Sequence, residues 1–383
     1  MIADAVVVGA GVIGASCAYH LARAGLRVTV VDRAAGPGGG STARATGGFR
    51  AQFATAVNVQ LSLIARARLA AFRDETGVDP GFDPVGYLWL ATGQAELAAL
   101  RDAHAVQRAA GLRDARLLDR DEALACNPAV AGDRVIGGAW CPSDGVIRPM
   151  AILRGYLDAA ARLGAVVRWD EPVVALERAG DRIAAVVTPR GRHAAGLVID
   201  CAGAWAASVA RLAGVELPVV PLRRQVAITE PTTALPARSP LTIWQGDGFH
   251  LRVRDDRVLL LRPSPGDPGD PWSVQVEPAW LDDVAARAAR RVPALGRVAL
   301  DRAGSWAGLY EMSPDGHAIV GAAPGCANLW FASGSSGHGV MHAPALGLVI
   351  AELARDATPP LDLHPLRPGR FADATALAGP ALL

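Results

Sequence analysis

Residues 4–32, DAVVVGAGVIGASCAYHLARAGLRVTVVD, decide the fold. DAVVVG reads as a buried strand, Gly9-Ala10-Gly11-Val12-Ile13-Gly14 as a tight turn, the next stretch to Gly25 as a helix, and RVTVVD as a second strand. A glycine turn between a strand and a helix exposes backbone N–H groups at the positive end of the helix dipole. Such a turn holds a pyrophosphate without a cationic side chain. Asp32 closes the second strand, where its carboxylate accepts the ribose hydroxyls and repels a 2′-phosphate; Arg33 follows it beside the same nucleotide. The unit predicts a dinucleotide, and by itself it serves NAD and FAD alike.

Working outward, GPGGG at 36–40 leads into STARATGGFRAQF at 41–53, small residues that let the backbone approach a ligand, and a helix is expected around 57–75. The helix at 149–163, the strands AVVRWD and VVALE, and AGLVIDCAGAW return to alternating α and β elements, as does the end of the chain from NLWFASG onward. Residues 216–311 carry strand candidates (VVPLRRQVAIT, FHLRVR, RVLLLR) and one helix, LDDVAARAARRV. The fold class expected is α/β plus α+β: a Rossmann-like nucleotide-binding domain over 1–80, 146–215 and 312–375, and an antiparallel-sheet substrate domain over 81–145 and 216–311. Residues 376–383 are expected to form a flexible tail.

The 383 residues carry 38 basic and 37 acidic side chains, and every basic one is arginine. With the arginines scattered along the chain, there is no electrostatic footprint for nucleic acid. Five cysteines without a C-x-x-C pair support neither a structural zinc nor a disulfide framework, and they fit a reducing cytoplasm. No apolar run is long enough for a membrane span, and no metal is expected. His338 is read as a backbone-bonded histidine, with His342 placed beyond a turn.

Three later segments choose between the nucleotides. STARATGGFR, VIDCAGAW and ASGSSGHGVMHAP together resemble the D-amino-acid oxidase superfamily of FAD-dependent oxidoreductases, in its sarcosine oxidase and dimethylglycine dehydrogenase branch. GGFRAQFATAVNVQLS, WAGLYEMSPDGHAIVG and SGHGVMHAPALG are similar to the bacterial sarcosine oxidase beta subunit and proline dehydrogenase beta subunit group. The resemblance implies noncovalent FAD, with Ser41, Thr42, Ala43 and Arg44 along its pyrophosphate and flavin edge, Val174 near the adenine, and Ala202, Gly203 and Trp205 beside the ribityl chain. Gly337, His338, Gly339, Val340 and Met341 would face the flavin. Arg50 would hold a substrate carboxylate, with Met341 also beside the substrate, and His250 and Tyr310 would hydrogen-bond the substrate or keep its amine neutral.

The implied reaction is oxidation of a small amino acid or secondary amine, sarcosine-like, proline-like or another N-alkyl amino acid, to an imine by hydride transfer to flavin N5, with oxygen or an electron carrier taking the electrons. Departures from the family bear on it. Gly308 stands where monomeric sarcosine oxidases attach FAD through cysteine, and Arg148 or Pro149 where a related beta subunit anchors FMN through histidine. A chain without lysine also lacks the residue that assists oxygen in monomeric sarcosine oxidases, which favours a dehydrogenase. Partner subunits are an expectation from relatives that work in complexes. Two other readings stay open: a flavin-bearing subunit without turnover alone, and a flavin monooxygenase, whose usual G-D motif is replaced here by GSSGHG.

Overall fold

A computed structural model describes residues 3–264 and 270–377. Ala3–Val8, Val28–Val31, Val166–Arg168, Gly191–Asp200 and Cys326–Ser333 form the parallel part of one sheet, in the order 326–333, 191–200, 3–8, 28–31, 166–168. Ile319–Ala323 adds an antiparallel edge, and the hairpin of Ala175–Ala179 and Arg182–Thr188 pairs with Gly191–Asp200.

The opening strand shows why the sheet forms. Ala5 and Val7 pack against the helices Val12–Arg23, Pro149–Arg162 and Gly339–Ala354 on one face, whereas Val6 and Val8 pack toward Ala206–Leu212 and the hairpin on the other. A strand covered on both faces needs an unbroken apolar run, which VVV supplies.

The second sheet runs in the order Trp306–Met312, Val220–Ile228, Arg257–Leu261, His250–Arg254, Leu241–Trp244, Tyr87–Ala91, Gly137–Cys141, Arg116–Leu118. It is antiparallel except where Leu241–Trp244 lies parallel to Tyr87–Ala91. Those two strands are joined by a long excursion through the first sheet, so no hairpin fixes their relative direction. The amphipathic helix Pro278–Arg291 covers the outer face, burying Trp280, Leu281 and Val284 against Leu251 and Leu260. A two-stranded ribbon, Gly48–Phe49 with Gly145–Val146, lies at the crossing between the sheets.

The single helix expected at 57–75 is two helices, Ala56–Ala70 and Phe72–Thr76, meeting at Ala71. The break lets Phe72 turn inward against Tyr156, with ring centroids 4.9 Å apart and Gly155 leaving room for the ring. Residues 378–383 of the expected tail lie outside the described residues. No helix among the described residues is long and apolar enough to cross a membrane.

Candidate active site

A cavity of about 1070 Å³ opens where the parallel strands of the first sheet end and one face of the second sheet looks down on them. The floor comes from the turns after the strands Ala3–Val8 and Gly191–Asp200 and from the turn before the helix Gly339–Ala354. Carboxyl ends of parallel strands are where such sheets bind ligands.

The first turn is held by close backbone packing. Gly9 has φ +99°, and a Cβ there would sit 2.5 Å from the Cys201 carbonyl oxygen; a Cβ on Gly14 would meet the Gly9 carbonyl at 1.9 Å. Asp32 ties the turn to the next strand: its Oδ2 accepts from the Ala10 N–H at 2.6 Å and its Oδ1 from the Ala34 N–H at 2.7 Å. The Val12 N–H donates to Thr42 Oγ1 at 3.1 Å, which docks the 41–44 turn onto the start of the helix. Ser41 Oγ donates to the Leu309 carbonyl, tying the same turn to the second sheet.

Two helices, Val12–Arg23 and Gly339–Ala354, begin at this cavity, and neither has an acidic residue in its first turn. Both positive helix ends are therefore left for a ligand that carries negative charge. Beside them the Asp200 Oδ2 and Glu311 Oε2 atoms are buried without a partner. Burial pushes Asp200 up to about 8 and Glu311 up to about 7, Glu311 adding to the rise at Asp200. The glycine cradle, the paired helix starts and the orphaned carboxyl oxygens fit a long dinucleotide with polar groups along it.

The roof is set by strand register. Trp306 pairs with Val226, Val226 with Leu261, Leu261 with His250, His250 with Ile243, and Ile243 with Trp89, so these residues share one face of the sheet. Arg224 and Gly308, then Leu222 and Tyr310, continue that face on the edge strand Trp306–Met312 and its neighbour Val220–Ile228. Tyr310 lies against the turn below: Gly337 has φ +93°, and a Cβ there would be 2.3 Å from the tyrosine ring.

Arg50 enters from the other side. It is 4 % exposed, its guanidinium 4.6 Å from the Phe53 ring centroid and 5.1 Å from that of Trp89. Its Nη2 donates to His338 Nε2 at 3.3 Å, Tyr87 hydrogen-bonds it, and its Nε has no partner. No carboxylate of the described residues lies within ion-pair distance of it. Burial lowers its pKa, with Tyr87 and then Asp144 opposing the shift. His250 donates from Nδ1 to the Gly248 carbonyl at 2.9 Å, which leaves Nε2 as an acceptor. Burial first, then the charges of Arg50 and Arg224, lower its pKa to about 4, so the ring is neutral at pH 7.

Of the residues expected from sequence, Gly9, Gly11, Val12, Ile13, Asp32, Arg33, Ser41, Thr42, Arg44, Arg50, Ala202, Gly203, Trp205, His250, Gly308, Tyr310, Gly337, His338, Gly339, Val340 and Met341 line this one cavity. Gly14 supports the turn from behind. Val174 is not in the lining: it is 52 % exposed and its N–H goes to the Val187 carbonyl, while the preceding residue, Val173, lines the cavity. Ala43 is likewise exposed and outside the lining, its two neighbours pointing in.

His342 was expected beyond a turn, but it lies within the helix Gly339–Ala354, one turn from His338. The two rings are 6.0 Å apart, each packed on Phe53, and His342 Nε2 is engaged with Ser62 Oγ. Sequence reasoning missed Tyr87, Arg224 and Glu311, all in the lining. For Arg224 the available signal was a charged side chain at an inward strand position, readable once the register is known.

Residues 4–353 match the FAD dependent oxidoreductase (DAO) family. The chain is 27% identical over 397 residues to human mitochondrial dimethylglycine dehydrogenase, covering 96% of this chain and 44% of that protein. It thus spans less than half the length of that relative. Glycine oxidase from Geobacillus kaustophilus is 28% identical over 369 residues, covering 94% of this chain and 95% of the other. Among solved structures, L-proline dehydrogenase from P. horikoshii superposes with a TM-score of 0.90 at 26% identity, over 98% of this chain and 99% of that one. The match over nearly the whole chain, on a fold whose glycine cradle and helix ends fit the dinucleotide, places this protein in the FAD-dependent oxidoreductase family of the D-amino-acid oxidase type.

Proposed function

We propose that this protein oxidises a small amino acid or secondary amine to its imine. The observation that carries the reading is Arg50, a buried guanidinium in the cavity with an unpartnered Nε and no carboxylate beside it. A guanidinium in that state is a ready site for a substrate carboxylate, because a fork of N–H donors matches two carboxylate oxygens. FAD, when bound, would supply the oxidant, an acceptor for two electrons and the α-hydrogen of the substrate.

The protein's work is then positioning. Arg50 anchors the carboxylate, while Phe53 and Trp89 hold the guanidinium so that the anchor does not swing. The free Nε2 of His250 accepts a hydrogen bond from the substrate nitrogen, and Tyr310 borders the same space. Two nearby guanidiniums disfavour an ammonium, so the amine binds neutral with its lone pair available. Met341 closes the site with an apolar wall. Water hydrolyses an acyclic imine after release, and oxygen or an electron carrier removes the electrons; the absence of lysine favours the carrier.

The test is anaerobic mixing of the yellow purified protein with sarcosine, proline, glycine and N-methyl amino acids, following the flavin absorbance. Bleaching by at least one of them is expected, and no bleaching by any overturns the reading. Bleaching without turnover in air assigns reoxidation to a partner subunit or carrier.

A further inference from the structure

The roof of the cavity carries a second cation that one substrate carboxylate does not use. Arg224 lies on the inward face of the strand Val220–Ile228, opposite Gly308. The stem of Arg44 lies over Gly308, and the Arg224 guanidinium sits 5.6 Å from the Tyr310 ring centroid. Among the described residues its side chain has one hydrogen bond, to the Arg223 carbonyl at 3.4 Å, and no carboxylate partner. Its neighbour in sequence, Arg223, points to the other side of the strand and bonds Glu277 and the Gln275 carbonyl.

The other arginines of the lining near the substrate end are engaged. Arg262 pairs with Asp283 and Arg252 donates to the Thr46 and Gly47 carbonyls; Arg44, like Arg224, has one carbonyl bond, to Gly40, but it belongs to the 41–44 turn docked on the start of the helix Val12–Arg23. Arg50 and Arg224 therefore stand out as two cations with free donors in one compartment. They are linked through a short path of contacts: Arg224 over Tyr310, Tyr310 against Gly337, and His338 bonded to Arg50. Both act on the same imidazole, that of His250. Asp144, the carboxyl whose charge reaches Arg50, is committed to the N–H groups of Ala51 and Gln52.

We infer that the substrate is a dicarboxylate secondary amine, an N-(carboxyalkyl) amino acid whose two carboxylates are held by Arg50 and Arg224 with the nitrogen between them at His250 and Tyr310. This rests on the amine-oxidation reading above and narrows it. Two unneutralised guanidiniums in one low-dielectric compartment repel each other, and a dianion removes that repulsion while a monoanion removes half of it. The reaction balances as a two-electron oxidation. The carbon next to one carboxylate gives up its hydrogen with the electron pair to FAD, the nitrogen loses its proton to solvent, and a C=N bond forms. Water adds to that bond and splits the product into an amino acid and a 2-oxo acid.

The test uses inert ethers on the FAD-loaded protein: oxydiacetate, which spaces two carboxylates as iminodiacetate does, and methoxyacetate, which carries one. Calorimetric titration and flavin absorbance perturbation give both affinities. Oxydiacetate is expected to bind roughly 10- to 100-fold more tightly, the worth of one further charge-assisted contact. Arg224→Gln and Arg224→Met are expected to bring the ratio toward one, with FAD content and melting temperature reporting that each variant is folded. Equal affinities in the wild type overturn the inference, as does a ratio that survives both substitutions. If sarcosine bleaches the flavin while oxydiacetate has no advantage, this inference falls and the amine-oxidation reading stands. If no amine bleaches it and neither ether binds, both fall.

Discussion

Replacing Arg50 with methionine separates binding from stability. Methionine fills the slot between Phe53 and Trp89 without a charge, so the packing of the guanidinium stem is largely kept. Truncating one partner of a buried, hydrogen-bonded charge pair costs about 2–5 kcal/mol, which at 1.36 kcal/mol per decade is roughly 30-fold to several thousand-fold in kcat/KM. Arg50→Lys keeps the charge but loses the fork, so it recovers part of the loss.

Stability should move little. The wild-type cation is desolvated without a carboxylate partner, a cost that methionine removes, while the loss of two ring contacts, about 0.5–2 kcal/mol each, and of the hydrogen bonds to His338 and Tyr87 offsets that gain. With about 2.1 cal/mol/K of unfolding entropy per residue over 383 residues, 1 kcal/mol is worth roughly 1 °C, so a shift within about 3 °C is expected. Steady-state kinetics with the best amine of the panel and a thermal melt of the same preparation decide it. A kcat/KM within threefold of wild type refutes the anchoring role, and a drop of more than about 5 °C with loss of FAD makes Arg50 a structural residue instead.

Gly14→Ala places a Cβ 1.9 Å from the Gly9 carbonyl, so the variant should purify without yellow colour, read as the ratio of absorbance at the flavin band to that of protein. Asp315→Asn strands Arg370, a guanidinium buried with it at 0 % and 2 % side-chain exposure, and should cost about 3–5 kcal/mol in chemical denaturation; a cost below about 1 kcal/mol would contradict the pairing. His20 is buried with its Nε2 unpartnered, and burial and then Arg68 lower its pKa from 6.5 to about 3. Below pH 6.5 the unfolded chain therefore takes up a proton that the folded chain refuses, and stability falls by about 1.4 kcal/mol per pH unit until about pH 3. His20→Phe should accordingly gain about 2 kcal/mol relative to wild type on going from pH 8 to pH 5, and a pH-independent difference in melting temperature would sink the assignment.

The part of the molecule that could be read from sequence is the part made of neighbours. Gly9 to Asp32 build one βαβ unit, in which turn, dipole and carboxylate act within a single stretch of chain, and pattern reading suffices. The second sheet is different. Tyr87–Ala91 lies beside Leu241–Trp244, and the chain between them builds much of the other domain, so nothing local tells which strand neighbours which or in which direction. Without that register Arg224 is one more arginine in a strand, although its inward position follows at once from its pairing with Gly308. Val173 lines the cavity and Val174 does not for a related reason: along an extended backbone, successive side chains turn to opposite faces, and the sequence alone does not say which one turns inward.

The same arrangement divides the electrostatic labour between the ends of the cavity. The nucleotide end offers backbone N–H groups, two helix starts and an aspartate already bonded to Ala10 and Ala34, and the arginine there, Arg33, is stacked 3.8 Å from the Trp205 ring centroid. A pyrophosphate held in that way leaves the mobile cations unspent. On the reading proposed here they are concentrated at the other end, where each is an arginine and presents a planar fork. Burial first, and then the charges of Arg50 and Arg224, hold the pKa of His250 down. The charges of the same two guanidiniums favour a neutral substrate nitrogen over its ammonium form. Anion recognition and freeing of the amine lone pair therefore have one cause, and substitutions at Arg50 and Arg224 should each raise the apparent pKa of the bound amine in the pH profile of turnover.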